Sequence, residues 1–467
     1  MLMLDNIISV INDQLYSKIL IILLIVGGLY FTIRSRFVQF RLFGEQWRVV
    51  TEKTENGGVS SFQALMVSTA SRVGTGNIIG VSTALCMGGF GSVFWMWVIA
   101  IIGCASAFVE STLAQIFKKK GADGSYGGPA YYIETALKCR PLAVIFSILL
   151  IITYGFGFNM LASYNLQSTF QGYSFYNADV TPWIIGAVVA ALVALCLFGG
   201  GKRIVKVTSA LVPIMGVAYV VIALGIMAVN FKIIPEVFVR IFREAFDVKA
   251  IFGGFSGSCV MYGIKRGLFS NEAGVGSAPN ASASAEVSHP VKQGLVQMLS
   301  VFIDTVIICS ATAFMCMCSG VQPTEALSGA PYIQEALRNV LGDFGPAFIT
   351  VAMILFAFTT LLGNLYYVEQ CIKHVLKRAP SKAFRFVYYI IASGVILLGA
   401  GLSAGLLWNI ADVTMGAMTL INMPVIIILG GYAMRALADY TRQRKEGKIP
   451  TFRSKDIGIE TELDYWK

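Results

Sequence analysis

Ser71-Arg72-Val73-Gly74-Thr75-Gly76-Asn77 interrupts one long apolar stretch of this chain. Gly263-Ile264-Lys265-Arg266-Gly267-Leu268-Phe269-Ser270-Asn271-Glu272-Ala273-Gly274-Val275-Gly276 interrupts another. Glycine costs a helix interior about 1 kcal/mol relative to alanine. In hydrocarbon, every freed N–H and C=O costs more again unless a cavity or a ligand satisfies it. Two readings compete. Either the glycines let helices pack closely, as small residues do in membranes, or the breaks build a site. Arg72, Lys265, Arg266, Glu272, Asn77 and Asn271 lie in the same runs. Intramembrane charge is costly and marks function, so the breaks are read as a site.

The rest of the chain supplies the membrane. Of its 467 residues 56% are hydrophobic and 13% charged, against roughly 25% charged in a soluble domain. That composition excludes a soluble enzyme, a disordered chain and a nucleic-acid-binding module. Apolar stretches recur at 17–33, 61–87, 91–117, 142–170, 183–199, 208–231, 251–282, 293–318, 345–371, 386–404 and 407–433. Each can cross a hydrocarbon core that takes about 20 helical residues. They are too long for barrel strands and do not alternate, so the expectation is an all-α polytopic protein of eleven transmembrane helices. Asp5 and Asp13 precede the first stretch without a basic region, which makes it a retained span rather than a cleaved signal.

The formal charge of +10 is an orientation signal and calls for no nucleic-acid partner. With the N-terminus outside, 27 of the 36 Lys and Arg fall in cytoplasmic connections and the C-terminal tail, and six fall outside. The positive-inside rule therefore places the C-terminus in the cytoplasm of a cell-membrane protein. The outside segment 232–249 mixes charges with Phe238, Ile241 and Phe242 and reads as a short amphipathic surface helix. The tail from Arg435 reads as a polar, solvated end. Two histidines leave little for zinc or triad chemistry, and nine scattered cysteines form no disulfide framework.

With the first span set aside, ten remain, and the breaks fall in the first and the sixth. Five is odd, so the two halves cross the bilayer in opposite directions. That is a 5+5 inverted repeat with a site where the broken helices meet. Four segments follow: 1–56, an extra span and basic connector; 57–232, the first repeat; 233–434, the second; and 435–467, the tail. Half-helix N-termini suit a carboxylate, and exposed carbonyls suit an ammonium group or Na⁺. A zwitterionic amino acid with a cation beside it fits both.

The motifs Val73-Gly74-Thr75-Gly76-Asn77-Ile78-Ile79-Gly80-Val81, Gly88-Gly89-Phe90-Gly91, Gly127-Gly128-Pro129-Ala130-Tyr131-Tyr132 and Ser270-Asn271-Glu272-Ala273-Gly274-Val275-Gly276-Ser277-Ala278-Pro279 resemble the alanine/glycine:cation symporters over nearly the whole chain. The resemblance implies a leucine-transporter-type core preceded by one extra span. It implies that Gly74, Thr75 and Gly76 cradle the substrate carboxylate and that Asn77 orients the turn or helps a cation. It also implies that Phe269, Ser270 and Asn271 form the opposite wall of the pocket. It further implies a Na⁺ position between the carbonyls of Ala70 and Val73 and the eighth core helix at Phe356, Thr359 and Thr360, an oxygen-only set suited to a hard cation. Paired threonines otherwise back-bond to the preceding turn. The sequence departs from its relatives at Ala162, where they commonly carry a pocket-facing Gln. Its loss makes room for larger neutral amino acids such as glutamine or serine.

Three acids, Glu110, Glu272 and Asp304, stand against three bases, Arg72, Lys265 and Arg266, within the spans. Mutual pairing is expected, with Glu272 or Asp304 holding the broken helices through Arg72 or Arg266. The resulting expectation is import of a small neutral amino acid (alanine, glycine, serine or glutamine type) by Na⁺ symport, with membrane lipid as surroundings and neither an organic cofactor nor an obligatory protein partner. H⁺ coupling or exchange through a buried acid is the alternative. No nucleotide-binding motif occurs. Gly254-Phe255-Ser256-Gly257-Ser258 offers a serine, but no histidine at membrane depth activates it.

Overall fold

The computed structural model describes residues 2–52, 58–121, 124–247, 259–460 and 462–466. The chain opens with α1 (Ile7–Arg34) and the short connector α2 (Phe43–Val50). The next apolar stretch is two helices, α3 (Ser61–Arg72) and α4 (Gly76–Gly88), followed by α5 (Gly91–Ile116). A two-stranded hairpin, Lys119–Gly121 with Gly124–Tyr126, leads to α6 (Pro129–Ala136). Then come α7 (Arg140–Ser168), α8 (Thr181–Leu197) and α9 (Gly200–Val229). The second half holds α10 (Ile234–Ala245), α11 (Cys259–Asn271), α12 (Pro279–Ser282) and α13 (Val291–Met317). It closes with α14 (Ala330–Leu341), α15 (Phe344–Leu376), α16 (Lys382–Ala400) and α17 (Ala404–Lys445).

Among the described residues, eight helices (α1, α5, α7, α9, α13, α15, α16 and α17) are long and apolar enough to cross a membrane. Of the remaining expected stretches, 183–199 is the short apolar α8 and the other two are interrupted. The start of the 251–282 stretch, the run Gly254-Phe255-Ser256-Gly257-Ser258, Lys53 and Lys249 lie outside the described residues. Helices five positions apart in the ten-helix count pack on one another: α4 on α11, α5 on α13, α7 on α15 and α8 on α16.

Several expectations need correction. The second break is not 263–276: α11 is continuous from Cys259 to Asn271, and the chain leaves helix at 272–278. Gly263 and Gly267 are there for close packing. A Cβ on Gly263 would meet the Ser92 carbonyl at 2.5 Å, and one on Gly267 would meet Ile99 at 2.6 Å. The first break is correspondingly short, Val73 to Thr75, with Asn77 already inside the resumed helix.

The amphipathic helix exists as α10, but it buries Val237, Ile241 and Ala245. It is fastened to the start of α5 by Phe90 N–H donating to Glu244 (2.7 Å) and Trp95 Nε1 donating to the Ala245 carbonyl (3.1 Å). Phe238 and Phe242 are partly exposed.

The tail is not a solvated end. α17 runs on to Lys445, and beyond it Phe452, Ile457, Ile459, Leu463 and Trp466 are buried. Trp466 Nε1 donates to the Gln115 carbonyl (2.8 Å), Arg435 donates to the Ile457 carbonyl (2.7 Å), and the Lys118 ammonium lies 4.1 Å from the Tyr465 ring centroid. These spaced apolar residues cover the ends of α5 and α17, where burial outweighs the solvation of the polar residues between them.

Candidate functional site

α3 begins with a capping box at Ser60 and Gln63 and ends at Arg72, because the next amides bond elsewhere. Gly74 N–H donates to Asn77 Oδ1 (2.8 Å), and Asn77 N–H donates to the Gly74 carbonyl (3.2 Å). Neither amide continues the ladder to Ala70 or Val73, so both carbonyls are released from it. The side chain of Thr360 occupies the space a Cβ on Gly74 would need, and its buried hydroxyl has no hydrogen-bond partner among the described residues. A buried hydroxyl without a partner costs about 1–3 kcal/mol. It stands against the same turn from which the two carbonyls are released. Thr359 behaves differently: its hydroxyl bonds back to the Leu355 (3.0 Å) and Phe356 (3.2 Å) carbonyls.

The second break starts at Glu272, a non-glycine residue at φ +53°, and passes through Gly274 and Gly276 at positive φ. Asn77 joins the two breaks. Its amide nitrogen lies 2.9 Å from Ser270 Oγ and 2.7 Å from Asp304 Oδ1. Asp304 Oδ2 accepts from Ser270 (2.7 Å) and Thr305 (2.8 Å). Thr75 is reached from α7 by Asn165 Nδ2 (3.1 Å). Ala162, one turn earlier, is buried, and it is Asn165 that brings a polar contact from this helix to Thr75. Asn271 caps the break by accepting from Ala273 N–H (3.0 Å).

Phe269 closes over the first break, packing where a Cβ on Gly76 would stand. Its ring stacks on Phe158 (4.6 Å) and contacts Trp408 (4.8 Å). Trp408 also lines a cavity of about 400 Å³, together with Ile79, Asn165, Lys265, Arg266 and Asp412 among others. Arg266 lies over the Trp408 ring (4.1 Å) and pairs with Asp412 (2.7 Å), which Lys265 also meets at 3.0 Å.

The expected pairing of three acids with three bases is therefore corrected. Arg266 and Lys265 take a fourth acid, Asp412, which lies in the 407–433 stretch and was legible by the same test as the others. Arg72 donates to Gln297 (3.0 Å) and, among the described residues, has no carboxylate within 4 Å. It acts on Glu110, Glu272 and Asp304 only at longer range. Glu110 accepts from Asn422 (2.9 Å), which also donates to the Gly274 carbonyl (3.0 Å) and so steadies the second break. Direct pairing fails because neutral amides and hydroxyls reach these carboxylates first.

A helical bundle whose two interrupted helices meet at a polar junction is the scaffold of leucine-transporter-type secondary transporters. A solved mutant manganese transporter from Eremococcus coleocola shares the fold, with a TM-score of 0.51 at 12% identity over 85% of this chain and 84% of that one. The chain belongs to the sodium:alanine symporter family, whose model matches residues 1–454. It is 43% identical over 464 residues to the amino-acid carrier protein AlsT of Bacillus subtilis (strain 168), covering 99% of this chain and 98% of that one. It is 41% identical over 467 residues to the probable sodium/glutamine symporter GlnT of the same organism, covering 99% and 96%.

Proposed function

We propose that this protein imports a small neutral amino acid with Na⁺ by alternating access, as a cell-membrane protein of eleven spans with its N-terminus outside. The packing of four of the five helices of the first half on the helix five positions later supports reading 57–232 and 233–434 as an inverted repeat, with 1–56 as an added span. The observation that carries the function is the first break: two carbonyls are released from the ladder in the same turn as Gly74, and the Thr360 hydroxyl, unpartnered among the described residues, packs against Gly74. A cation there neighbours the Gly74–Thr75–Gly76 turn, whose Thr75 and Gly76 amides suit a carboxylate while Asn77 holds that of Gly74. Cation and amino acid would thus bind as neighbours, which gives each a reason to raise the other's affinity. Thr360 carries the hydroxyl contribution, with Thr359 and Phe356 building the helical turn behind it. Phe269, Ser270 and Asn271 wall the pocket, and Ala162 leaves it roomy enough that glutamine and serine join alanine and glycine as candidates.

Uptake of labelled alanine, glycine, serine and glutamine into proteoliposomes under imposed Na⁺ or H⁺ gradients tests this reading. Na⁺ is expected to drive uptake, and uptake indifferent to Na⁺ removal would reject the coupling. Thr360→Ala is expected to weaken Na⁺ activation by about tenfold, the loss of one hydrogen-bond-strength contact of roughly 1.4 kcal/mol. Thr359→Ala should change it less.

A further inference from the structure

The three acids around Arg72 are not equivalent. Asp304 accepts from Asn77, Ser270 and Thr305 and is fully engaged at the junction. Glu110 is held by Asn422. Glu272 accepts from Ser277 at Oε2 (2.5 Å), and among the three acids it is the one whose other oxygen meets α3, which carries Ala70. The Ser71 hydroxyl, next to Ala70 in sequence, lies 3.3 Å from Glu272 Oε1 and 2.7 Å from Asn364 Oδ1. Asn364 stands one helical turn beyond Thr360, and its amide donates to Asn159 (3.0 Å). The approach is close because a Cβ on Gly363 would meet the Ser71 backbone at 2.7 Å.

Donor accounting then becomes decisive. Ser71 has one proton and two acceptors, so with Glu272 ionised one of them goes without. A proton on Glu272 completes the row Glu272–Ser71–Asn364. A cation at Ala70 and Thr360 instead supplies the missing positive charge. The surrounding charges lean the same way, since Arg72 is the one base facing Glu272, Glu110 and Asp304.

We infer that Glu272 is the counter-charge of the coupling cation: ionised when the cation is bound, protonated when it is not. This rests on the cation position proposed above. Protonation is a simple transfer of H⁺ to a carboxylate oxygen, so Na⁺ binding releases that proton and acid weakens Na⁺ binding by the same factor. The titratable and charged groups facing Glu272 are Arg72 on α3, Glu110 on α5, Tyr154 on α7, Asp304 on α13 and Tyr367 on α15. Glu272 is thus a positioning residue for the ion rather than a ligand.

The test is Na⁺ activation of amino-acid uptake by the full-length protein in proteoliposomes across a pH series, with equal pH on both sides. In the parent, apparent Na⁺ affinity should fall about tenfold on acidification, within the usual range of coupling between two ligands. Glu272→Gln should start with the weak affinity and lose the pH dependence. Glu272→Gln keeping the parent's pH dependence overturns the inference and moves the titration to Glu110 or Asp304. Should Glu272→Gln not fold, Ser71→Ala decides: a reduced pH dependence supports the role, and an unchanged one overturns it. Thr360→Ala separates the two levels. It should weaken Na⁺ activation while leaving the pH dependence in place, and unchanged Na⁺ activation would instead overturn the cation position itself.

Discussion

The buried charges around the two breaks fall into two groups of opposite net sign. In the lining of the cavity, two bases, Lys265 and Arg266, share one acid, Asp412, in direct ion pairs. Away from that lining one base, Arg72, stands among three acids and pairs directly with none of them. The first region is held by short charge–charge contacts beside a cavity, and the second by amides and hydroxyls in a closed interior. The difference suits the two ligands proposed above. An excess of positive charge at the cavity attracts a carboxylate, while an excess of acid behind the breaks leaves a place for a cation.

The contrast can be broken at its strongest contact. Asp412→Asn leaves Arg266 and Lys265 without a counter-charge, and losing one partner of a buried pair costs about 3–5 kcal/mol. A clear drop in melting temperature is expected in thermal unfolding followed by size-exclusion chromatography. An unchanged melt would mean that the cavity lining is wet enough to tolerate unpaired cations. Next is the junction between the regions. Asn77→Ala removes a hydrogen bond to the Asp304 carboxylate and the cap on Gly74, at about 2–3 kcal/mol. Amino-acid binding measured by scintillation proximity should fall at least tenfold. Retained binding would show that the breaks hold together without Asn77. The smallest effect is expected at Asn165→Ala, which loses a single neutral hydrogen bond to Thr75, about 1 kcal/mol. A several-fold rise in the half-saturating substrate concentration with little change in maximal rate would place Asn165 beside the substrate turn. A fall in rate alone would place it elsewhere.

Much of this was readable in advance, and the misreadings have specific causes. Gly74-Thr75-Gly76-Asn77 was legible because a polar turn inside an apolar run has no other economical place in a bilayer. Gly263 and Gly267 were misassigned to the second break because a packing glycine and a hinge glycine look alike until the neighbouring helix is in place. Ser92 and Ile99 on α5 decide the matter. Thr359 and Thr360 are chemically identical in sequence, yet one hydroxyl bonds its own helix and the other faces Gly74 with no partner. Asp412 was visible as an intramembrane acid. Its choice of Arg266 was not, because the two lie 146 residues apart.

Periodicity and hydropathy by themselves determined a multi-pass helical membrane protein with two interrupted helices. Those properties depend on each segment's own exchange with lipid, which local composition sets. Only the tertiary structure decided which charges share a region, which hydroxyl is left unpartnered and where the tail docks. Those outcomes depend on distances between segments far apart in the chain, and a hydrogen bond or ion pair exists only within a few ångströms.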